Sequence, residues 1–487
     1  MTTKETQEAF QWTNVWNQWF ATIAANLVML GHGCIMGWVS PAIPRLTSDH
    51  TPLSSGPLSN EQVSWIGSIN CIGALIGALS FGYITNLMGS KRSILFLTLP
   101  SIVFWLLIEF GNTYYHILIA RFVGGWAGGG MQTSLILYVS EIANDNIRGR
   151  LGGLLLFLRN IGVLIAYILG AVVDYEYIPY VCVVIPFGFV IIFATLPNTP
   201  QFYIAKGDMN KAEYSVKCYK GYQGESRAED DALYKEYEKL KTMANESKTE
   251  EKLQLSDFCN CLNLKLQILS IYPLYQVFQW YRNRADNSQI TAAFTIISYA
   301  VTVFEKAGTS INPYASSIVL AVALILGSLA TTYLADRLGR KLLNLISLMG
   351  SAIGLFATSL YHYLYMNGID LSALAWMPVI NISLVIFISS AGIMPLTFIC
   401  SVENLPKKIR TFGMAIISFS ISVVAFASVK FFPILVEELN LYGCLMIYGI
   451  GSLVGFVFIL LFLDDTSGKS LDNVGAKEKT DIACNYV

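Results

Sequence analysis

Charge is scarce in this chain: only 13% of its 487 residues are Asp, Glu, Lys or Arg, against 54% that are hydrophobic. That leaves too little polar surface to cover a water-soluble globule, so the chain is expected in lipid. Basic runs of the kind that follow a phosphate backbone are missing, which argues against a nucleic-acid partner. Paired cysteine spacing is missing too. Cys34, Cys71, Cys182, Cys400 and Cys444 lie inside apolar runs, and Cys259 and Cys261 form a lone C-x-C, so neither a disulfide framework nor a zinc site is expected. With no nucleophile constellation, phosphate loop or metal-ligand cluster, no catalytic residue, metal or cofactor is assigned and an enzyme is not expected. Residues 1–18 also lack the apolar core and cleavage site of a signal peptide, so the first apolar run is expected to be retained as a span.

Long apolar runs, by contrast, are plentiful. Stretches of about 20 residues, the length that crosses a hydrocarbon core, occur near 19–40, 62–83, 93–111, 115–138, 151–173 and 177–196. A second series follows near 315–335, 342–363, 375–400, 411–433 and 441–463, preceded by a weaker run near 286–306 that is counted as the seventh span. The expected fold class is an all-α polytopic membrane protein of about 12 helices in two six-helix pseudo-repeat bundles. Residues 1–18 form an N-terminal segment, 19–200 the first bundle, 201–262 a linker, 263–463 the second bundle and 464–487 a tail. The linker alternates Glu and Lys on helix-forming sequence and should form short helices. Lys91, Arg92, Arg148, Arg150, Arg337, Arg340, Lys341, Lys407, Lys408 and Arg410 fall in alternate loops, which by the positive-inside rule makes both termini cytoplasmic. The sequon at Asn245 then lies in a cytoplasmic linker and should stay unglycosylated.

One motif occurs twice. After the second span the chain carries Gly89, Lys91 and Arg92, and after the eighth it carries Asp336, Arg337, Gly339, Arg340 and Lys341 in matching register. A second pair follows: Glu141 precedes Arg148 by the interval at which Glu403 precedes Arg410. A glycine turn brings two helices together, and carboxylates and guanidinium groups at the membrane edge form pairs that break and reform. Repetition in both halves favours an inner-gate latch of Gly89, Arg92, Glu141, Arg148, Asp336, Arg337, Gly339, Arg340, Glu403 and Arg410 over simple positive-inside anchoring.

These motifs resemble the signatures of the sugar porters of the major facilitator superfamily. D-R-x-G-R-K at 336–341, E-x-x-P-x-x-I-R at 403–410, R-F-x-x-G-x-x-x-G at 121–129 and Y-x-x-E-I-A-x-x-x-x-R-G at 138–149 carry the resemblance, which spans most of the chain. Within that family, Ser64-Trp65 and F-E-K-A-G at 304–308 are similar to insect facilitated trehalose transporters. The resemblance implies a two-bundle fold, a central substrate cavity and alternation between inward-open and outward-open states.

Departures from the family pattern are informative. Asn86, Leu87 and Ser90 stand where it carries Asp, Arg and Arg, and Asn198 and Gln201 replace a Glu and an Arg after the sixth span. Thinner charge on one side should weaken cytoplasmic closure and leave the resting protein mainly inward-open. The resemblance assigns Leu156, Gln289, Phe294, Leu324 and Phe398 to candidate substrate-binding positions, to which Arg159 and Asn160 are added because they share a helical face with Leu156. At several of these positions the family has an amide able to donate and accept, and here only Gln289 keeps one. Residues 279–287 interrupt the seventh span with polar residues, so that span is expected to be shortened or broken, with a locally divergent segment as the alternative.

Arg159 sits roughly 12 Å along the fifth span from Leu151 at about 1.5 Å per residue, deep in the bilayer. Two readings of it compete: a structural arginine held by carbonyls or a carboxylate, and a counter-charge for an anionic substrate. His32 is expected to be hydrogen-bonded across helices. Arg121 suits either packing or gating. The proton-coupled porters that this chain resembles carry an aspartate in the first span where it has Gly37-Trp38-Val39, which favours facilitated diffusion. The sequence therefore points to a plasma-membrane uniporter of a hexose or trehalose, monomeric as a functional unit, with the sugar and the lipid bilayer as partners. An organic-anion transporter and a non-transporting nutrient sensor are the alternatives.

Overall fold

The computed structural model of the chain describes residues 2–144, 147–220, 289–396 and 410–462. Phe398, Glu403, the polar stretch 279–287, Asn245 and the tail lie outside the described residues. The first half contains α1 (Thr2–Thr47), α2 (Asn60–Met88), α3 (Ser90–Phe110), α4 (Tyr114–Ile142), α5 (Arg148–Val172) and α6 (Ile178–Ala194), followed by the short α7 (Pro200–Ala205) and α8 (Met209–Lys220). The second half contains α9 (Gln289–Ser298), α10 (Ala300–Lys306), α11 (Pro313–Leu338), α12 (Arg340–Met366), α13 (Met377–Ala391) and α14 (Arg410–Phe462). Among the described residues, nine segments are long and apolar enough to cross a membrane. The helical run of α14 is broken at Asn440, whose φ of 54° leaves the helical region, and this yields the last two spans read from the sequence.

Local chemistry explains the boundaries. Ser59 and Gln62 form a reciprocal capping box at the start of α2. Proline occupies the first turn of α6, α11 and α13, where its missing amide costs no hydrogen bond. Asp208 accepts from the amide of Lys211 at 3.2 Å and from its ammonium at 2.7 Å; these bonds hold its carboxyl below the ordinary range.

Within the first half, small residues let backbones meet. A Cβ at Gly73 or Gly77 of α2 would lie 2.2 or 2.1 Å from carbonyl oxygens of α4, and one at Gly125 or Gly129 of α4 would lie 2.1 or 1.9 Å from carbonyls of α2. The two helices thus carry facing small-xxx-small stripes, the packing that lipid, offering no hydrophobic drive between helices, rewards.

Buried apolar residues reveal an asymmetry along the bundle axis. At the end away from Gly89 and Gly339, residues of both halves merge into one core that includes Ile43, Ile66, Tyr167, Ile297, Phe304, Val429 and Phe432. At the turn end, a cluster built on Phe81, Leu97, Tyr138 and Phe193 belongs to the first half alone. Separate small clusters at Leu343 and Leu396, and at Leu348 and Ile459, belong to the second. Among the described residues, the halves share a core at one end only.

Candidate functional site

The repeated motif is a repeated structure. Gly89 joins α2 to α3 at φ 85°, ψ 154°, and Gly339 joins α11 to α12 at φ 79°, ψ 157°, a region essentially restricted to glycine. Two residues on, each half places a lysine on carbonyls at the end of its own last span: Lys91 donates to Ala194 at 3.1 Å and to Leu196, and Lys341 donates to Leu460 at 3.2 Å. A cation there meets unpaired helix-terminal carbonyls and the negative end of the helix dipole. Between glycine and lysine the halves diverge. Ser90 donates its hydroxyl to Glu141 Oε2 at 2.6 Å, where Arg340 stands in the second half. Arg92 lies over the Phe202 ring at 5.0 Å and Arg337 over Tyr333 at 4.1 Å, while Arg148 Nη2 reaches the Ala143 carbonyl at 3.5 Å. Gln201 Nε2 donates to the Glu141 carbonyl at 3.2 Å. Helix α8 is fastened here as well, by Tyr219, whose hydroxyl donates to the Pro197 carbonyl at 2.6 Å and meets that of Tyr138 at 3.1 Å. For Asp336 and Arg410 the structure gives the helical backbone.

At the opposite end the halves are joined through a broken helix. The seventh span is interrupted at Tyr299 (φ −121°, ψ 24°), between α9 and α10. An unbroken helix would bond the Val301 amide to the Ile297 carbonyl. Instead the Val301 amide donates to Ser40 Oγ of α1 at 3.0 Å, and the Tyr167 hydroxyl of α5 donates to the Ile297 carbonyl at 2.5 Å. Two hydroxyls of the first half are thus spliced into the backbone ladder of the second, and they pair the Val301 amide and the Ile297 carbonyl that the break separates. Left unpaired and buried, each would cost about 1–3 kcal/mol. Tyr299 itself stacks on Phe432 at 5.0 Å and donates to the Val429 carbonyl at 3.2 Å. Its hydroxyl faces Gly67 of α2, where a Cβ would lie 2.4 Å away. Lys430 crosses to α2 as well, donating to Ser64 Oγ at 2.8 Å with its ammonium 4.0 Å from the Trp65 ring centroid. Asn60 bonds Glu437 beside it.

Midway along the first half are two cations. Arg121 of α4 is 2% exposed and donates through Nε to the Ile66 carbonyl at 3.1 Å and through Nη1 to the Ile35 carbonyl at 2.9 Å. Arg159 of α5 has its backbone against Gly33 of α1, where a Cβ would lie 2.0 Å from the Arg159 carbonyl. Next to Gly33, the His32 ring fills the notch left by Gly128 of α4. The cross-helix hydrogen bond expected of His32 is not among the described contacts; its Nδ1 is buried without a partner. The missing side chain at Gly128 lets the ring pack flush on α4, which satisfies its shape and not its polarity.

The cavity positions taken from the resemblance are dispersed. Leu156 packs on the first-half cluster, Leu324 is buried in the shared core, and Phe294 is half-buried on α9. Asn160 is 2% exposed and its Oδ1 has no partner. Gln289 opens α9. Sequence reasoning missed Ser40, Gly67, Tyr167, Tyr299 and Lys430. Lys430 offered a signal, since a charge inside the apolar eleventh span invites a search for its partner. The hydroxyls offered none, because the break they serve is not a sequence feature.

Residues 19–477 match the family described as sugar (and other) transporters. Among curated proteins, the chain is 26% identical over 463 residues to the facilitated trehalose transporter Tret1 of Polypedilum vanderplanki, covering 95% of this chain and 88% of that one. It is also 26% identical over 461 residues to Tret1 of Culex quinquefasciatus, covering 95% and 86%. Among solved structures, it resembles the xylose transporter XylE from E. coli in an inward-open conformation, with a TM-score of 0.74 at 18% identity over 93% of this chain and 98% of that one. The proton:xylose symporter XylE bound to 6-bromo-6-deoxy-D-glucose gives a TM-score of 0.71 at 19% identity, covering 95% and 99%. Two six-helix halves with a repeated glycine turn, a multi-pass membrane topology and a match along nearly the whole length place this chain in the sugar transporter family of the major facilitator superfamily.

Proposed function

We propose that the chain is a facilitative uniporter of a hexose or of trehalose in the plasma membrane, with both termini and the glycine turns on the cytoplasmic side. The observation that carries this reading is the one-sided core: the halves share buried residues away from the turns and keep separate clusters beside them. In that orientation the protein is closed outside and its cavity faces the cytoplasm, as the thinned charge of the first-half motif leads one to expect. Opening the outside requires Ser40 and Tyr167 to withdraw from α9 and α10, which frees the Val301 amide to bond Ile297 and straightens the helix. Cytoplasmic closure then brings the basic and acidic groups around Gly89 and Gly339 together. The cycle moves a solute with no covalent step, and the bundle works as a monomer.

Uniport is supported by the surroundings of Arg121. Its hydrogen bonds go to two backbone carbonyls, neither of which takes up a proton at physiological pH. A carboxylate in that place would couple protonation to the movement of the halves. Counterflow of radiolabelled glucose and trehalose in proteoliposomes holding the purified full chain tests the reading, and the expected outcome is exchange that persists when the pH gradient is collapsed with an ionophore. Binding without exchange would indicate a sensor, and exchange that stops with the gradient would indicate a symporter.

A further inference from the structure

Arg159 is the polar group in the middle of the bundle that the closed outer end does not explain. It lies about two and a half turns before Ile168 at about 3.6 residues per turn, so it faces away from the side on which Ile168 is 40% exposed. It therefore points away from lipid and shares a face with Leu156, one turn before it. The same helix reaches the second half through Tyr167. Among the described residues, Arg159 has no hydrogen bond or ion pair, whereas Arg121, at comparable depth, has two carbonyls. Beside it, two further polar groups are buried and unsatisfied: Asn160 Oδ1, on the next residue, and His32 Nδ1, next to the glycine on which Arg159 rests. The charges of Arg159 and Arg121 both act on His32, so this level of the first half is positive.

While the cavity is open to water, a guanidinium there is hydrated. Alternating access, however, passes through a state closed at both ends. An unpaired cation cut off from water opposes that state, and a neutral solute leaves its charge uncompensated. An oxyanion compensates it through two parallel N–H···O bonds.

We propose that Arg159 is the specificity-determining cation of the cavity and that the transported sugar bears an oxyanionic group, a carboxylate or a phosphate. This rests on the sugar-transport reading above and replaces its neutral hexose or trehalose with an acidic or phosphorylated sugar. The test is counterflow in proteoliposomes of the full chain against glucose, trehalose, glucuronate, glucose 6-phosphate and inorganic phosphate, for the wild type, Arg159→Lys and Arg159→Gln. The expected result is wild-type exchange of glucuronate or glucose 6-phosphate at least about tenfold faster than glucose. The ratio of anion to glucose exchange should fall at least about tenfold in Arg159→Gln and stay partly preserved in Arg159→Lys, which keeps the charge without the planar fork. Preference for glucuronate identifies the carboxylate and preference for glucose 6-phosphate the phosphate. Exchange of glucose or trehalose in preference to both anions overturns the proposal and leaves the sugar-transport reading standing. Exchange of inorganic phosphate alone, or of nothing, overturns both. The wild-type profile decides even if the variants fail to fold.

Discussion

At the turn end, the first and second halves repeat each other in the glycine turn and in a lysine-to-carbonyl bond, and then part at Asn86, Leu87 and Ser90, where the second half has Asp336, Arg337 and Arg340. Both use a glycine at φ near 80° and a lysine seated on the carbonyls at the end of their last span. Between these, the first half makes a hydroxyl-to-carboxylate bond from Ser90 to Glu141 where the second presents Arg340. The features that form the turn are thus kept twice, while the charge beside it is reduced in the first half. The opposite end has no such repeat: it is held by contacts, Ser40 and Tyr167 on the broken helix and Lys430 on α2, that each join one half to the other.

The largest effect should come from the turns. Gly89→Ala places a side chain in a backbone region that costs about 1–3 kcal/mol, and its Cβ would also lie 2.5 Å from the Phe202 ring. Folded yield and thermal unfolding in detergent should both drop, and Gly339→Ala should show the same backbone cost; a tolerant Gly339 would break the equivalence of the halves. Next in size is Tyr167→Phe, which leaves the Ile297 carbonyl without its donor and should shift the equilibrium about tenfold towards the outward-open form, for a loss of about 1–3 kcal/mol. Alkylation of a reporter cysteine at the outer mouth reads that shift. Tyr219→Phe, whose bonds stay within the first half, should lower stability without moving it.

Ser90→Arg addresses the asymmetry directly. A guanidinium opposite Glu141 should add a charge-assisted pair within the first half, raising thermal stability in detergent by about 1 kcal/mol without moving the inward–outward equilibrium. No gain in thermal stability would mean that the hydroxyl serves as well as the charge. The smallest effect is expected of Lys430→Met, which removes a partly exposed cation–π contact of about 0.5–1 kcal/mol. It should increase outer-mouth alkylation only two- to fivefold.

Much of this architecture was legible before any coordinates. Span boundaries followed from apolar length, because a helix that spares its backbone contact with hydrocarbon has little choice of length. The motif around Gly89 and Gly339 was readable as a repeat because its geometry tolerates only glycine at that position. The break at Tyr299 was not. The sequence expectation of an irregular seventh span rested on the polar residues 279–287, whereas the structure interrupts the helix inside an apolar stretch that reads as regular. The groups it exposes are met by two hydroxyls more than 100 residues away, and no local propensity records them. The hydrogen bond expected of His32 is not made among the described residues for a related reason, since the ring packs into the notch at Gly128.

What the sequence by itself determined is what is local or periodic: the membrane class, the number and length of spans, the twofold repeat, the glycine turns and the presence of Arg121 and Arg159 inside apolar helices. Tertiary structure decided which of those buried charges found a partner among the described residues, where the seventh helix breaks and at which end the halves share a core. These outcomes depend on contacts between residues far apart in the chain, and whether a carbonyl or a guanidinium is satisfied is settled only when another helix is brought against it.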